Sequence, residues 1–171
     1  MSESPNVLIA VGQSQDPNIP EQTYENIFTR YNVGGLSGRP DGDFYNQIID
    51  NPSTPKWGDK NFDIYGFMSG ACYYTYPNSI QCVVDFFNKN DNIKVVVCDM
   101  LYDKELFKFH RYIHPQAPNN LPFFIRSSIV KELRFTNQRE MLQSQLEALK
   151  QKYPIFHIAA PLISIREEGS E

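Results

Sequence analysis

The middle of the chain carries a hydrophobic pattern that predicts a strand, a helix and a second strand in succession. The apolar run from Asp63 to Ser69 predicts the first strand, and the β-branched run from Ile93 to Cys98 predicts a strand buried on both faces. Between them, four apolar residues at helical spacing predict a helix with one buried face: Ile80, Val83, Val84 and Phe87. Ligands of such parallel units usually bind at the carboxyl ends of the strands, so the residues after Met68 are the first candidate site.

The chain before this unit predicts one strand and two helices. Asn6 to Val11 is an apolar run that predicts a buried first strand. Helical spacing predicts a helix after it that carries Tyr24, Ile27, Phe28 and Tyr31. A Pro-Asp-Gly turn at residues 40–42 begins another predicted helix, whose inner side is formed by Phe44, Tyr45, Ile48 and Ile49.

The chain after the unit predicts a strand, two helices and two closing strands. Residues 107–113 alternate as in a strand, and Asn137 to Lys152 predicts a helix. Ser127 or Ser128 can cap a short helix that turns three residues inward: Ile129, Val130 and Leu133. The runs Ile155 to Ile158 and Pro161 to Ile165 predict the closing strands.

The central unit resembles the family 2 glycosyltransferases, which have the GT-A fold. In that family a strand of the form G-D-I-I-G-F-L-N-S-D-D runs into Y-x-P-N-S and a helix. This chain reads FDIYGFMSGAC from Phe62, followed by Tyr74 and by Pro-Asn-Ser at residues 77–79. The similarity continues from Leu121 to Arg166. It extends more weakly over Ser37 to Ile49, where the alternative is a simple turn that caps a helix.

The residues on which that family's chemistry depends are replaced here. Two carboxylates that hold the divalent metal of the sugar-nucleotide site correspond to Ala71 and Cys72, so Ser69, Gly70, Ala71 and Cys72 are vestigial donor-site positions. Neither a methyl group nor a lone thiol supplies the oxygen ligands that Mg²⁺ or Mn²⁺ requires. The family's second, nucleotide-binding strand is not recognisable and is interpreted as deleted. Glu140 is the acid nearest to the position of the family's catalytic base, and its alternative role is that of a solvated helix residue.

Composition excludes several classes of function. A net charge of −4, without a cluster of Lys or Arg, argues against nucleic-acid binding and against an anionic membrane surface. The apolar runs are too short to span a bilayer, and the first residues lack the pattern of a signal peptide. Three cysteines without C-x-x-C spacing indicate reduced core residues rather than a disulfide or zinc framework. We therefore expect a soluble intracellular protein, or a component of a virion or another assembly.

Several aromatic and histidine residues have more than one interpretation. Trp57 could stack on a sugar ring, but it could equally anchor its loop to the domain. The tyrosine corner of Tyr73, Tyr74 and Tyr76 could line a sugar site, form a protein interface or cover the end of the sheet. His110 and His114 would share one strand face, which is compatible with a metal site or with surface residues.

These observations predict one GT-A-like α/β domain over residues 1–171, with a mixed sheet flanked by helices. Its parts are a reduced nucleotide-binding half (1–99), an acceptor-side half (100–166) and a polar tail (167–171). With the metal pair, nucleotide strand and base triplet all absent, the resemblance implies a former transferase that now acts as a structural or interaction subunit with protein partners. No cofactor is expected in that case.

The competing hypotheses are an active transferase and a sugar-binding module. An active transferase would use a nucleotide sugar with Mn²⁺ or Mg²⁺, held by a substitute carboxylate of Asp63, Asp99 or Asp103. The module would bind a glycan through Trp57 and the tyrosines. Possible ligand-binding residues under these hypotheses are Asp41, Trp57, Asp63, Tyr73, Tyr74 and Asp99.

Overall fold

A mixed β-sheet forms the centre of the molecule, with helices on both faces. The structure is a computed structural model that describes residues 5–13, 22–32, 39–102, 105–107, 121–138 and 140–165. Its strands are β1 (Val7–Val11), β2 (Ile27–Tyr31), β3 (Ile64–Met68), β4 (Cys72–Tyr74), β5 (Val95–Tyr102), β6 (Glu105–Phe107), β7 (Phe123–Arg126) and β8 (Ile155–Ile165). Its helices are α1 (Asp41–Asp50), α2 (Ser79–Asn88), α3 (Ser127–Val130) and α4 (Met141–Lys150). The predicted α/β class is confirmed.

Eight strands form the sheet, in the order β2-β1-β3-β7-β5-β8-β4, with β6 paired to β5 outside this path. The pairs β1–β2, β1–β3 and β5–β8 are parallel. Strand β7 lies antiparallel between β3 and β5, and β4 lies antiparallel to β8 at one side of the sheet. The predicted strand–helix–strand unit is therefore present as β3, α2 and β5, but β7 separates its two strands.

The helix predicted around Tyr24 to Tyr31 is wrong, because Ile27–Tyr31 is strand β2. It pairs in parallel with β1 from Val7 opposite Ile27 to Val11 opposite Tyr31. Ile27 and Tyr31 pack on one side of the sheet and Phe28 packs on the other. Because this strand has apolar residues on both faces, their spacing matched that of an amphipathic helix. The inference that a second strand had been deleted is wrong for the same reason.

The two faces of the sheet bury separate hydrophobic cores. One core, on what we call the α2 face, joins helix α2 to alternate residues of the strands, such as Val96 and Cys98. The other core, on the α1 face, includes residues of α1, α3 and α4 together with Val95 and Val97. All residues of β1 and β3 are buried, as expected for strands covered on both sides.

Local chemistry explains where several helices begin and end. Helix α3 begins after Arg126 without a side-chain cap, so the predicted serine cap is wrong, although Ile129, Val130 and Leu133 are buried as predicted. The Arg126 guanidinium donates hydrogen bonds to the carbonyl oxygen of Phe87 in the last turn of α2 and to those of Asn90 and Ile93 after the helix. A cation interacts favourably with the carboxyl end of a helix.

The strand predicted over residues 107–113 lies, apart from residue 107, outside the described residues. The other predictions differ mainly in extent. Helix α4 is shorter than predicted, and the two closing strands form the continuous strand β8. Strands β4 and β7 were not predicted, because short segments of three and four residues carry little periodicity. Within the described part of the chain, no helix is long and apolar enough to cross a membrane.

Gly66 in β3 leaves space for two core side chains that approach it from the neighbouring strands, Ile9 of β1 and Phe124 of β7. A substitution at this position tests the packing. A Cβ atom at position 66 would lie 2.7 Å from Ile9 Cδ1 and 2.8 Å from the Phe124 ring. We expect Gly66→Ala to lower the free energy of unfolding by about 1–3 kcal/mol, because overpacking forces the neighbours to move. Urea denaturation followed by circular dichroism measures this change.

The control for this substitution is Gly58→Asn. Gly58 has a φ of +70°, and a Cβ atom added there would have no other heavy atom within 4 Å. Asparagine tolerates this left-handed backbone region better than most residues. Its effect should therefore be smaller than that of Gly66→Ala. Equal stability of Gly66→Ala and the wild type would contradict the close approach of Ile9 and Phe124 to position 66.

Candidate functional site

The carboxyl ends of β1 and β3 approach each other so closely that only small residues fit between them. The Gly12 amide donates to the Met68 carbonyl oxygen at 2.9 Å, which extends the β1–β3 pairing beyond the strands. A Cβ atom at Gly70 would overlap the backbone of Gln13. Residues 69–72, which the sequence analysis compared with a donor site, therefore lie in a tightly closed turn between β3 and the start of β4. Ser69 and Ala71 are partly exposed, whereas Gly70 and Cys72 are buried.

Cys72 lies inside the hydrophobic core. Its side chain is in β4, is 1% exposed and packs in the α2-face core. Burial raises the pKa of the thiol to about 11, although a hydrogen bond with Ser69 partly opposes this effect. Tyr74, two residues later, is buried as well, and burial raises the pKa of its hydroxyl group. Tyr73 is partly exposed and Tyr76 is 44% exposed, so the tyrosine corner is divided between core and surface.

Asp41 ties the ends of β1 and β2 to the start of α1. Its Oδ1 accepts hydrogen bonds from the Gln13 amide and from Asn32 Nδ2, both at 2.8 Å. Asn32 is 5% exposed and also donates to the Arg39 carbonyl oxygen at 2.6 Å. We call Asp41, Asn32 and the Gln13 amide the Asp41 cluster. The sequence prediction included Asp41 but missed Asn32. Asn32 directly follows strand β2, and this segment was predicted to be a helix, so the position did not stand out as a strand end.

The side chain of Tyr45 lies beside this cluster. Its hydroxyl group donates to the Met68 carbonyl oxygen at 2.7 Å. Burial raises the pKa of Tyr45 well above its usual value, and the negative charge of Asp41 raises it further. A Cβ atom at Gly12 would lie 2.7 Å from both the Asp41 carboxylate and the Tyr45 hydroxyl oxygen. Gly12 therefore leaves room for the two polar groups at the strand end.

Asp99 and His157 form a second polar group. Asp99 Oδ1 lies 2.5 Å from His157 Nε2, and the two side chains are 5% and 29% exposed. Asp99 follows the apolar run of β5, and His157 lies in β8 opposite Val97. The pairing of β5 with β8 shifts register on both sides of Asp99. The sequence prediction included Asp99 but missed His157, which is far away in sequence and lies within an apolar strand.

The strand registers show how this pair lies relative to the Asp41 cluster, although Asp99 is inside β5, which continues to Tyr102. Gly66 of β3 and Val96 of β5 both pair with Phe124 of β7. Ser69 and Asp99 each follow three residues later, so Asp99 lies level with the end of β3. Alternation after Val95 and Val97 puts Asp99 on the α1 face, where α1 carries Asp41. Three strand spacings, about 14 Å, separate β1 from β5.

The other candidate residues lie elsewhere. Asp63 precedes β3 at the opposite edge, where its carboxylate accepts the Asn6 amide at 3.0 Å and lines an open pocket of about 620 Å³ with Lys60 and Arg126. The Trp57 ring packs edge-on against Phe28 and Phe62, with ring centres 5.2 and 6.0 Å away.

Glu140 is exposed and directly precedes α4. Asp103, His110 and His114 lie outside the described residues. Among the residues that the structure describes, no group of three or more His, Cys, Asp or Glu side chains could hold a metal ion.

Comparisons with known proteins do not assign this chain to a family. No protein-family model matches the sequence, and no curated protein matches it. Among solved structures, the chain is similar to A197 from STIV, with 10% sequence identity and a TM-score of 0.45. The similarity covers 90% of this chain and 82% of that chain.

The Asp41 cluster predicts a difference between two neighbouring aspartates of α1. Asp41→Ala removes the acceptor of the Gln13 amide and of the buried Asn32 side chain, so we expect a loss of about 1–3 kcal/mol in unfolding free energy. Asp43 is the matched control, because it is exposed in the same helical turn and its carboxylate accepts Asn137 Nδ2 at the surface. Asp43→Ala should cost less than about 1 kcal/mol. Equal losses in urea denaturation would contradict the assigned role of Asp41.

The buried thiols predict selective chemical labelling. Burial raises the pKa values of Cys72 and Cys98 to about 11 and about 12, whereas Cys82 is partly exposed. Because the thiolate is the reactive form, a maleimide or disulfide reagent at about pH 8 should modify Cys82 alone in the folded protein. All three thiols should react in guanidinium chloride. Peptide mass spectrometry identifies the modified sites, and rapid native labelling of Cys72 would contradict its position in the core.

Proposed function

We propose that this chain is a GT-A-like domain of the glycosyltransferase family 2 type that has lost metal-dependent sugar transfer and acts as an interaction subunit of a larger assembly. The observation that carries the proposal is the position of Cys72. It corresponds to a metal-binding carboxylate in the resemblance, yet its side chain is part of the hydrophobic core. A carboxylate at this position would be removed from water, which is unfavourable without a charged partner.

The neighbouring positions support the same interpretation. Ala71 has no ligand atom in its side chain, and Gly70 is packed against the backbone of Gln13. A divalent cation prefers several oxygen ligands that converge on one point. The turn between β3 and β4 supplies core packing instead, so the proposed loss of metal binding follows from how the turn is built as well as from its residue types.

A second candidate function is a transferase that works without the metal pair. Two observations favour it: strand β2 is present, and the Asp41 cluster and Asp99 lie on the same face of the sheet, with Asp99 level with the end of β3. The hypothesis of an interaction subunit assumed that the nucleotide-binding strand was lost. The presence of β2 beside β1 weakens that assumption. A nucleotide could bind at the ends of β1 and β2, and Asp99 could act near the acceptor. Mn²⁺ or Mg²⁺ would then require ligands other than residues 71 and 72.

Calorimetric titration with UDP, GDP and their glucose and mannose conjugates separates the two candidates. With loss of the metal anchor, we expect no heat of binding that depends on Mn²⁺, even at about millimolar nucleotide. Metal-dependent binding tighter than that, together with release of UDP or GDP, would overturn the proposal in favour of the transferase. Asp41→Asn is the variant that tests for binding at the Asp41 cluster. It replaces one carboxylate oxygen with an amide nitrogen and retains the volume of the side chain.

The interaction role requires a separate measurement. Native mass spectrometry of the protein isolated from its source should find it within a complex of several different chains. A monomer in that experiment would contradict the interaction role even if no nucleotide binds.

A further inference from the structure

A polar pocket lies at the amino ends of β1 and β3, at the other end of these strands from the Asp41 cluster. Its volume is about 620 Å³, which is within the range of small-molecule sites. The segment before β1 and the loop before β3 line it, together with Asn88 at the end of α2 and Arg126 at the end of β7. Apart from Pro5, all its lining residues are polar or charged, so the pocket suits a polar ligand.

Charged residues of both signs line this pocket: Asp59, Lys60, Asp63 and Arg126. None of the four forms an ion pair with a described residue, because the ion pairs among those residues join other side chains. The carboxylates and the cations of the pocket therefore lie more than 4.0 Å apart. A ligand that carries both signs of charge can complement them, because the groups do not neutralise each other by direct contact.

Three of these charged groups are held in place by the protein. The Arg126 guanidinium donates to three backbone carbonyl oxygens. Lys60 Nζ lies 5.2 Å from the centre of the Phe28 ring, and the Asp63 carboxylate accepts the Asn6 amide at 3.0 Å. Groups that are fixed before a ligand arrives lose little conformational freedom on binding, which favours affinity.

The fixed groups of both signs retain capacity for further hydrogen bonds. Arg126 uses Nε and Nη2 for its carbonyl partners, and Asp63 accepts the Asn6 amide through Oδ2. Among the described residues, Arg126 Nη1 and Asp63 Oδ1 have no hydrogen-bond partner. A guanidinium nitrogen can donate to a carboxylate, and a carboxylate oxygen can accept from an ammonium group.

We propose that this pocket is a binding site for a small zwitterion that carries an ammonium group and a carboxylate. The ammonium group binds at Asp63 and the carboxylate binds at Arg126, while Asp59 and Lys60 contribute a second charge of each sign. Free amino acids and short peptides share this chemistry and differ in the separation of their two charges. The inference goes beyond the proposed function, because it requires neither a nucleotide nor a metal ion.

Nuclear magnetic resonance of the ¹⁵N-labelled full chain tests the proposal. The protein is titrated with glycine and with triglycine, whose extended chain spans about 10 Å, and the Arg126 Nε–H and Asp63 amide signals are followed. We expect at least one of these ligands to shift both signals in a saturable manner, with a dissociation constant of about 1–10 mM. Saturation by glycine identifies a free amino acid as the ligand, and saturation by triglycine alone identifies a short peptide. Absence of a saturable shift up to about 100 mM of both ligands overturns the proposal.

Capped forms of the ligand that binds test whether both charges are needed. Acetylation of the amino group leaves only the carboxylate, and amidation of the carboxyl group leaves only the ammonium group. Each capped form should bind about tenfold more weakly or worse, because one charge-assisted hydrogen bond is lost. Undiminished binding of either form contradicts a zwitterion site.

Variants show whether the ligand binds in this pocket. Asp63→Asn retains an acceptor for the Asn6 amide and should weaken binding about tenfold. Lys60→Gln leaves that hydrogen bond untouched and should weaken binding about threefold or more. Asp43→Asn is the matched control, because Asp43 is also exposed and its carboxylate also accepts from an amide group, Asn137 Nδ2.

The control should bind the ligand as the wild type does, and the same spectra show whether each variant is folded. Wild-type affinity in Lys60→Gln or in folded Asp63→Asn, or equal weakening in Asp43→Asn, overturns the assignment of the pocket. Nucleotide calorimetry and native mass spectrometry remain independent tests of the proposed function.

Discussion

Burial of β1 and β3 on both faces is the constraint on which the rest of this structure depends. Strands without a solvated face must be covered from both sides, so α2 occupies one face of the sheet while α1, α3 and α4 contribute to the core on the other. Polar side chains are then costly along these strands and inexpensive only where the strands end. Polar groups are accordingly found at the strand ends, in the Asp41 cluster, and inside β5, where Asp99 is paired with His157.

The same constraint explains the turn between β3 and β4. The chain leaves β3 at Met68, passes the end of β1 and reaches Cys72, which is in the core. The close contact of Gly70 with Gln13 leaves no space for a larger side chain. A turn that presented two carboxylates to a metal would need an open position here. The packing of this turn is thus consistent with its residue types, which include no carboxylate at residues 69–72.

The two polar groups have different physical characters. Asp41 is a structural carboxylate in the sense that it satisfies the Gln13 amide and the buried Asn32 side chain, and this links three elements. Asp99 lies within a strand and is paired with a ring that is 29% exposed, beside an irregular segment of β8. Linkage of the ends of β1 and β2 to the start of α1 accounts for the first group. The second group pairs a buried carboxylate inside β5 with a partly exposed imidazole of β8.

The sequence by itself determined the α/β class, the strand–helix–strand unit and the inward residues of α1, α2 and α4, because their periodicity reflects which side of an element is buried. It also indicated Asp41, Asp99 and the absence of acidic residues at positions 71 and 72. Only the tertiary structure decided that Ile27–Tyr31 is a strand and that β7 lies between β3 and β5. It alone joined Asp99 to His157, 58 residues away. Strand pairing and side-chain contacts of this kind depend on residues distant in sequence, which a local hydrophobic pattern does not encode.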